Sequence, residues 1–453
     1  MRLQTTHLAE HQLRELRRLL ANHNGSAGMA AASLTPHELA DLLVTLQPAE
    51  LVQLEPVIGV ERLADAVAEL DPAEAARLIV RFSRAHAADI LEEMEPDDAT
   101  DVVEELGDED AQRILAEMED DEAREIRELM VYPPETAGGR MTPDFVSISP
   151  DVTVAGAMRL IRAQAADAET IYYIYVTDRI GRLIGVVSLR DLVAADPLRR
   201  IGDIMRHQVL RVPAATDQEE AARLLLDHDF LALPVVDAEG RLIGMITADD
   251  VADVIEEEAT EDIERLGGSQ PLDEPYLTAP LSQIFRKRVV WLMVLFLAGT
   301  YTSAVLQLFS DTLSQVVALS FFIPLLIGTG GNVGSQIVTT VVRAMAVGDV
   351  AFRDLWRVLT REIIVSLCVG IVMATAIFIR SETMAVDATI GIVVALAAIV
   401  IVVWAAAVAA VLPLILRRLR VDPAVVSAPL ITTLVDGTGL LLYLSLARVV
   451  LDL

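Results

Sequence analysis

Five apolar runs, at about 289–309, 315–341, 359–379, 388–415 and 426–447, constrain this 453-residue chain more than any other feature. Each is long enough to cross a hydrocarbon core of about 30 Å, which takes about 20 helical residues. Helices buried in soluble proteins are shorter and carry a polar stripe. Residues 284–453 are therefore expected to form an all-α transmembrane bundle of five helices. Flanking charge orients it, because Lys and Arg concentrate on the cytoplasmic side. Arg286, Lys287 and Arg288 precede the first run. Arg343, Arg353, Arg357 and Arg361 separate the second from the third, and Arg417, Arg418 and Arg420 separate the fourth from the fifth. The alternate connections hold only Asp311 in one and Arg380, Glu382 and Asp387 in the other. An odd number of spans then puts the amino terminus in the cytoplasm and the carboxyl terminus outside, in a multi-pass protein of the cell (inner) membrane.

The remainder is of opposite character. Of 36 Lys/Arg and 66 Asp/Glu, 12 and 9 fall in 281–453, leaving 24 and 57 in 1–280, a formal charge of −33 against +3. A region this acidic repels nucleic acid and anionic lipid, and bound cations would relieve its self-repulsion; a solvated surface is the plainer reading of the same charge. The single cysteine, Cys368, lies in an apolar run, which excludes an intrachain disulfide and a cysteine metal site. Met1 to Arg18 is polar and has no apolar core of a secretory signal, so the acidic part is expected to stay in the cytoplasm.

After a polar tail, 1–34, residues 35–135 read as an acidic N domain of short amphipathic helices. Helix starts recur at Asp71-Pro72, Glu95-Pro96-Asp97-Asp98 and Gly107-Asp108, where an Asp or Thr before the helix accepts free N–H groups and Pro is tolerated in the first turn. Beyond Gly138-Gly139 strands alternate with helices and a repeat appears. Gly181-Arg182-Leu183-Ile184-Gly185 recurs as Gly240-Arg241-Leu242-Ile243-Gly244, 59 positions later. Each copy runs strand, turn, strand and then a helix capped by Ser188 or Thr247. Both copies keep Gly-x-x-(Ser/Thr)-x-x-Asp, ending at Asp191 and Asp250. This resembles a tandem pair of α/β CBS domains, at 136–200 and 201–258. Such pairs commonly bind adenine nucleotides, and the resemblance implies Tyr173, Ser188, Arg190, Asp191 and Phe230 for ATP or a related nucleotide; an empty, structural pair is the alternative.

From Ala252 to Arg265 the chain reads as a carboxylate-rich helix that runs out of the second of these domains into a connecting helix (259–283). Glu258, Glu261 and Asp262 share a face, a like-charge cluster with no basic residue until Arg265. Mg2+, which takes a few carboxylates and keeps several waters, would neutralise it, and a solvated helix face is the other reading.

Two features of the spans are costly. In the second, Pro324 is followed by Gly328-Thr329-Gly330-Gly331-Asn332-Val333-Gly334-Ser335-Gln336. Four glycines and a proline should weaken the helix, which is tolerated where backbone is buried or lines water; close helix packing is the alternative use of small residues. In the fifth, Asp436 lies about ten residues in. A carboxylate at that depth costs roughly 2.5–3.5 kcal/mol on insertion scales and marks a functional site by default. No span interior offers a basic partner, which favours a transient cation; an Asp held neutral or hydrogen-bonded to a neighbouring helix is the other reading.

Together these features resemble the MgtE family of magnesium transporters: a helical N domain, tandem CBS domains, a connecting plug helix and five spans. The most specific marks are Pro-x-x-x-Gly-Thr-Gly-Gly-Asn at 324–332, Asp422-Pro423 and Thr433-Leu434-Val435-Asp436. Ser335 departs from the Asn expected there. The resemblance implies a homodimeric, Mg2+-selective channel, its pore built by the second and fifth spans of both subunits, with Asp436 holding a largely hydrated Mg2+. It implies regulatory Mg2+ sites at Asp97 and Asp101, at Asp217, Glu219, Asp229 and Asp250, and at Glu258, Glu261, Asp262 and Asp422. Intracellular Mg2+ on these carboxylates would close the pore. A Mn2+ or Co2+ transporter and a nucleotide-sensing membrane regulator are the competing readings. The chain holds no His-Glu-x-x-His, Gly-x-Ser-x-Gly or Walker lysine motif, so no enzyme is expected.

Overall fold

The computed structural model describes residues 34–165, 168–272, 276–277 and 279–453. The polar tail, Leu34 apart, and positions 273–275 and 278 of the connecting segment lie outside them. The chain divides into two compact units, one ending at Glu257 and one beginning at Glu258.

The first unit opens with eight short helices between Pro36 and Leu129. Local chemistry fixes their starts. Thr35 and Glu38 form a reciprocal capping box, the Thr35 hydroxyl accepting from the Glu38 N–H at 3.3 Å and the Glu38 carboxylate from the Thr35 N–H at 2.9 Å. Asp71 caps the helix that begins at Pro72, accepting from the Ala73 N–H at 3.1 Å. The other two expected starts, Pro96 and Asp108, are also where helices begin. Each helix turns apolar positions inward to one shared core that includes Leu39, Leu54, Leu63, Ile79, Ile90 and Val103.

Two three-stranded sheets follow. In the first, β1 (Phe145–Ile148) runs parallel to β2 (Thr170–Thr177), which pairs antiparallel with β3 (Leu183–Ser188); β4 (Val212–Pro213), β5 (Ala232–Val236) and β6 (Leu242–Thr247) repeat that order. The sequence repeat is a contact as well as a copy. The Leu183 N–H donates to the Gly240 carbonyl at 3.2 Å and the Leu242 N–H to the Gly181 carbonyl at 3.0 Å. Both glycines have φ near +80°, at +80° and +81°, a conformation that side chains disfavour, so the turns that pair the copies require them. Tyr175, Leu183, Val236, Leu242 and Met245 close a small apolar cluster between the sheets.

After β3 the Leu189–Ala194 helix is capped as expected, the Ser188 hydroxyl accepting from the Asp191 N–H at 3.1 Å. Thr247 differs. Its hydroxyl and its N–H both donate to the Asp250 carboxylate, at 2.6 and 3.1 Å, so the acid rather than the hydroxyl satisfies the start of the Ala248–Leu266 helix. That helix ends at Leu266 and the next begins at Leu281, so the connection to the spans is not helical throughout.

Among the described residues the second unit holds five helices long and apolar enough to cross a membrane: Leu281–Leu308, Val317–Ala346, Phe352–Thr383, Ala388–Arg418 and Ala428–Val450. The fourth is the most buried, touching the second, third and fifth. Small side chains along it, Ala398, Ala405, Ala406, Ala409 and Ala410, let those neighbours approach. The second span corrects an expectation. A 3-10 segment, Val317–Phe322, precedes an unbroken α-helix, Ile323–Ala346, and Pro324 lies in its first turn, where a missing N–H costs nothing. The glycines do not open the helix; Gly330, Gly331 and Gly334 admit neighbours.

Candidate cation sites

The second and fifth spans meet on that glycine face. A Cβ built on Gly331 would lie 2.8 Å from Thr432, and one on Gly334 2.6 Å from Ile431. Ser335 and Thr432 are joined through their hydroxyls at 3.3 Å, so the departure at 335 is accommodated by a polar contact between these two helices. Asp436 follows directly. Its neighbours are all engaged: Val435 against Gly330, Gly437 beneath Tyr301, and Thr438 accepting from the Trp404 indole N–H at 2.8 Å. One carboxylate oxygen of Asp436, Oδ1, is buried and has no hydrogen-bond partner. On the second span Asn332, Gln336, Thr339 and Thr340 are exposed at spacings of three or four, a polar stripe within an apolar helix.

Below the spans, the end of the connecting helix carries Glu258, Glu261 and Asp262, all half-buried. Here the structure supplies a counter-charge the sequence reading did not use. Arg265 forms ion pairs with Glu261, one turn before it, and with Asp422. Asp422 also caps the Pro423–Val425 turn, accepting from the Ala424 N–H at 2.8 Å. Glu261 and Asp422 are thus gathered around a guanidinium.

The first unit holds a larger acidic cluster. Asp97, Asp98 and Asp101 lie on the Pro96–Glu105 helix and interact with Asp250 of the first turn of the Ala248–Leu266 helix. Asp97 is 8% exposed, and its Oδ1 is buried with no partner. Burial, reinforced by Asp250, Asp98 and Glu95, pushes its carboxyl well above the usual range. Burial, with Glu95 and Asp250, pushes Asp98 up to about 8. Asp101 rises to about 6, again chiefly through burial and against the pull of Arg140. Burial also raises Asp250, although Thr247 donates to it. Glu95 and Glu169 share a carboxyl–carboxyl hydrogen bond, and burial with that bond lifts Glu169 to about 8. Arg140 reaches into the cluster, bonding Asp101 at 3.0 Å, Glu257 at 2.5 Å and Gln218 at 2.9 Å.

The remaining expected residues have roles of their own. Asp217 caps the Gln218–Asp227 helix, accepting from the Glu219 and Glu220 N–H groups. Glu219 pairs with Arg223. Asp229 sits in a left-handed turn, φ 52°, after that helix. Of the residues expected to hold a nucleotide, Tyr173 lies opposite Ser188 across β2 and β3, Asp191 faces Arg206 at 3.6 Å, Arg190 is exposed and Phe230 stacks on His228 at 5.5 Å. Among the described residues no group of three or more His, Cys, Asp or Glu stands ready to enclose one bare ion. What the structure offers instead are single orphaned carboxylate oxygens at Asp97 and Asp436, suited to an ion that keeps most of its waters. Sequence reasoning missed Asp98, Glu169, Arg140 and Glu257. The Pro96-Asp97-Asp98 start was its one visible signal for the cluster.

Comparison with known proteins places the N domain, the sheet pair and the second to fifth spans in known families. Residues 323–446 match the divalent cation transporter family MgtE, residues 34–135 the MgtE intracellular N domain, and residues 137–197 and 201–257 the CBS domain. The magnesium transporter MgtE of Thermus thermophilus is 48% identical over 328 residues, 72% of this chain and 73% of that protein. Its namesake in Enterococcus faecalis is 37% identical over 71% of each chain. Two crystal structures align with 99% of their own length. The soluble part of a magnesium transporter does so over 55% of this chain, at 36% identity and TM-score 0.52. The cytosolic domain of the Mg2+ channel MgtE in complex with ATP does so over 53%, at 38% identity and TM-score 0.51.

Proposed function

This chain belongs to the MgtE family of magnesium transporters, and on that premise we propose that it is a Mg2+-selective channel whose ion path passes Asp436 and whose opening is controlled by intracellular Mg2+. The observation that carries the pore is the buried, unpartnered Oδ1 of Asp436. It lies on the fifth span, which packs against the second, and the second leaves Asn332 and Gln336 uncovered. A polar stripe in an apolar span needs water or a partner helix, and a second copy of the chain meeting this face would provide both, with two Asp436 carboxylates across one path. Paired charges favour a divalent over a monovalent ion, and outer-shell contact suits Mg2+, which dehydrates reluctantly. The passage is passive, since no ATPase motif is present. The experiment is Mg2+ flux into vesicles holding the full chain, with Asp436→Ala as the deciding variant; uptake at the wild-type rate would place the path elsewhere.

Control follows from the acidic clusters. Like charges 4 Å apart oppose one another by about 4 kcal/mol at an effective dielectric of 20; Arg140 offsets Asp101, and a proton or cation shared among Asp97, Asp98 and Asp250 would favour their packing. High internal Mg2+ would supply that cation and favour the packed, closed form; low Mg2+ would release it. A swing from 1:99 to 99:1 requires about 5.5 kcal/mol of preferential binding, which several ions can share. The excess of Lys and Arg in the connections after the second and fourth spans supports a cytoplasmic location for these sites. The CBS cleft around Tyr173, Ser188 and Asp191 is the place for ATP, in keeping with the ATP complex of the related cytosolic domain.

A further inference from the structure

We propose that Arg353, Arg357, Arg361 and Arg418, with Phe352 and Trp356, form a binding site for an anionic phospholipid at the foot of the third span. Arg353, Arg357 and Arg361 are exposed at four-residue intervals; Arg357 and Arg361 lie one turn apart on one face of the Leu355–Thr383 helix, and Arg353 lies in the short 3-10 segment just before it. Like charges in that spacing repel, and the protein does little to offset them. Arg353 has Asp354 at 3.8 Å, but that carboxylate already accepts from the Ala351 N–H at 3.1 Å. Arg357 and Arg361 have no ion pair among the described residues, and Glu362 is half-buried beside the exposed Arg361. A fourth charge is brought in from another helix: the Arg418 guanidinium sits 4.4 Å over the Phe352 ring, beside Arg353.

The same face continues upward as a lipid-facing surface. Above Arg361 it presents Ile364, Val365, Ile371 and Val372, all more than half exposed. From Arg361 to Val372 the helix rises about 16 Å, close to the half-thickness, roughly 15 Å, of a hydrocarbon core. Charge at headgroup level beneath one leaflet's depth of apolar surface fits a single amphipathic anion, phosphate below and acyl chains above. Trp356, 74% exposed, lies at the boundary where indoles anchor helices. Basic pockets between spans on the cytoplasmic side hold such headgroups. This site lies apart from the ion path and does not depend on it.

The test uses the full chain in vesicles of phosphatidylcholine and phosphatidylglycerol, with brominated acyl chains on one lipid or the other. The fluorescence of Trp356 is isolated by subtracting that of Trp356→Phe. Brominated phosphatidylglycerol is expected to quench it about twofold or more strongly than brominated phosphatidylcholine. R357Q/R361Q should make the two lipids equal, and R357K/R361K, which keeps the charge, should retain the preference and report that the fold is intact. The proposal is overturned by equal quenching in the wild type or by a preference that survives R357Q/R361Q. It is overturned equally by no quenching from either lipid, which would mean that protein covers this face, or by inorganic phosphate at matched ionic strength erasing the preference, which would make it an anion site without a lipid.

Discussion

Arg265 and Asp422, 157 positions apart in the chain, form an ion pair that ties the end of the connecting helix to the turn just before the fifth span. Arg265 holds Glu261 with the same guanidinium. The helix that would close the path is therefore pinned by a cation built into the chain, at carboxylates that the family resemblance assigns to Mg2+. A Mg2+ ion at those carboxylates would compete with the guanidinium for the same oxygens.

Arg265→Gln separates them. Without Mg2+ the connecting segment should be cut faster by protease, since a half-exposed pair contributes about 1 kcal/mol or less. With the guanidinium gone, less Mg2+ should protect the segment, because Glu261 and Asp422 are left facing an ion alone. Limited proteolysis across a Mg2+ titration reads both effects. An unchanged protection midpoint would mean that Arg265 does not compete.

Asp436 predicts opposite effects on flux and stability. Asp436→Asn should lower Mg2+ flux by at least about tenfold, the effect of about 1.4 kcal/mol. It should leave thermal stability equal or higher, because a carboxylate at that depth costs roughly 2.5–3.5 kcal/mol. Flux assays and melting curves on the same preparation check the pair. Loss of flux accompanied by a lower Tm would point to damage to the fold instead.

The acidic cluster of the first unit makes stability depend on pH with a definite sign. Asp98 and Glu169 are raised to about 8 and Asp101 to about 6, against unfolded values near 4. The folded protein therefore binds more protons than the unfolded one between about pH 4 and pH 8, and stability falls as pH rises through that interval. In EDTA, hydrogen-exchange protection at 95–101, taken relative to the intrinsic rate at each pH, should be higher at pH 5.5 than at pH 8. Mg2+ should remove most of the difference, because it replaces the protons.

Two glycines in the second span should respond differently to a side chain. A Cβ at Gly334 meets Ile431 at 2.6 Å, whereas one at Gly328 meets open space. Gly334→Val is expected to cost about 1–3 kcal/mol through overpacking. Gly328→Ala should be neutral or slightly stabilising, as Ala favours helix more than Gly does. Thermal unfolding in detergent distinguishes them.

Much of this was legible in the sequence where the signal is local or periodic. The spans declared themselves by the length of their apolar runs, and the CBS pair by two copies of Gly-x-x-(Ser/Thr)-x-x-Asp. The helix starts at Pro72, Pro96 and Asp108 were legible too, although only the first is capped by a side chain, that of Asp71; at Pro96 and Asp108 no side chain caps the helix. Pro324 misled, because a proline and four glycines read as a broken helix when each is weighed against solvent. Packed against Ile401, Ile431 and Thr432, the same residues form a continuous one.

Charge pairing was the part the chain did not spell out. Arg140 stands 39 positions from Asp101 and 117 from Glu257, and Arg265 far from Asp422. Composition and hydropathy alone determined that this protein has five spans and an acidic region to balance, since both are sums over neighbouring residues. Which carboxylates share a proton, which take an arginine and which are left bare was decided only by tertiary structure, because burial and the distance between charges set those energies and neither is written along the chain.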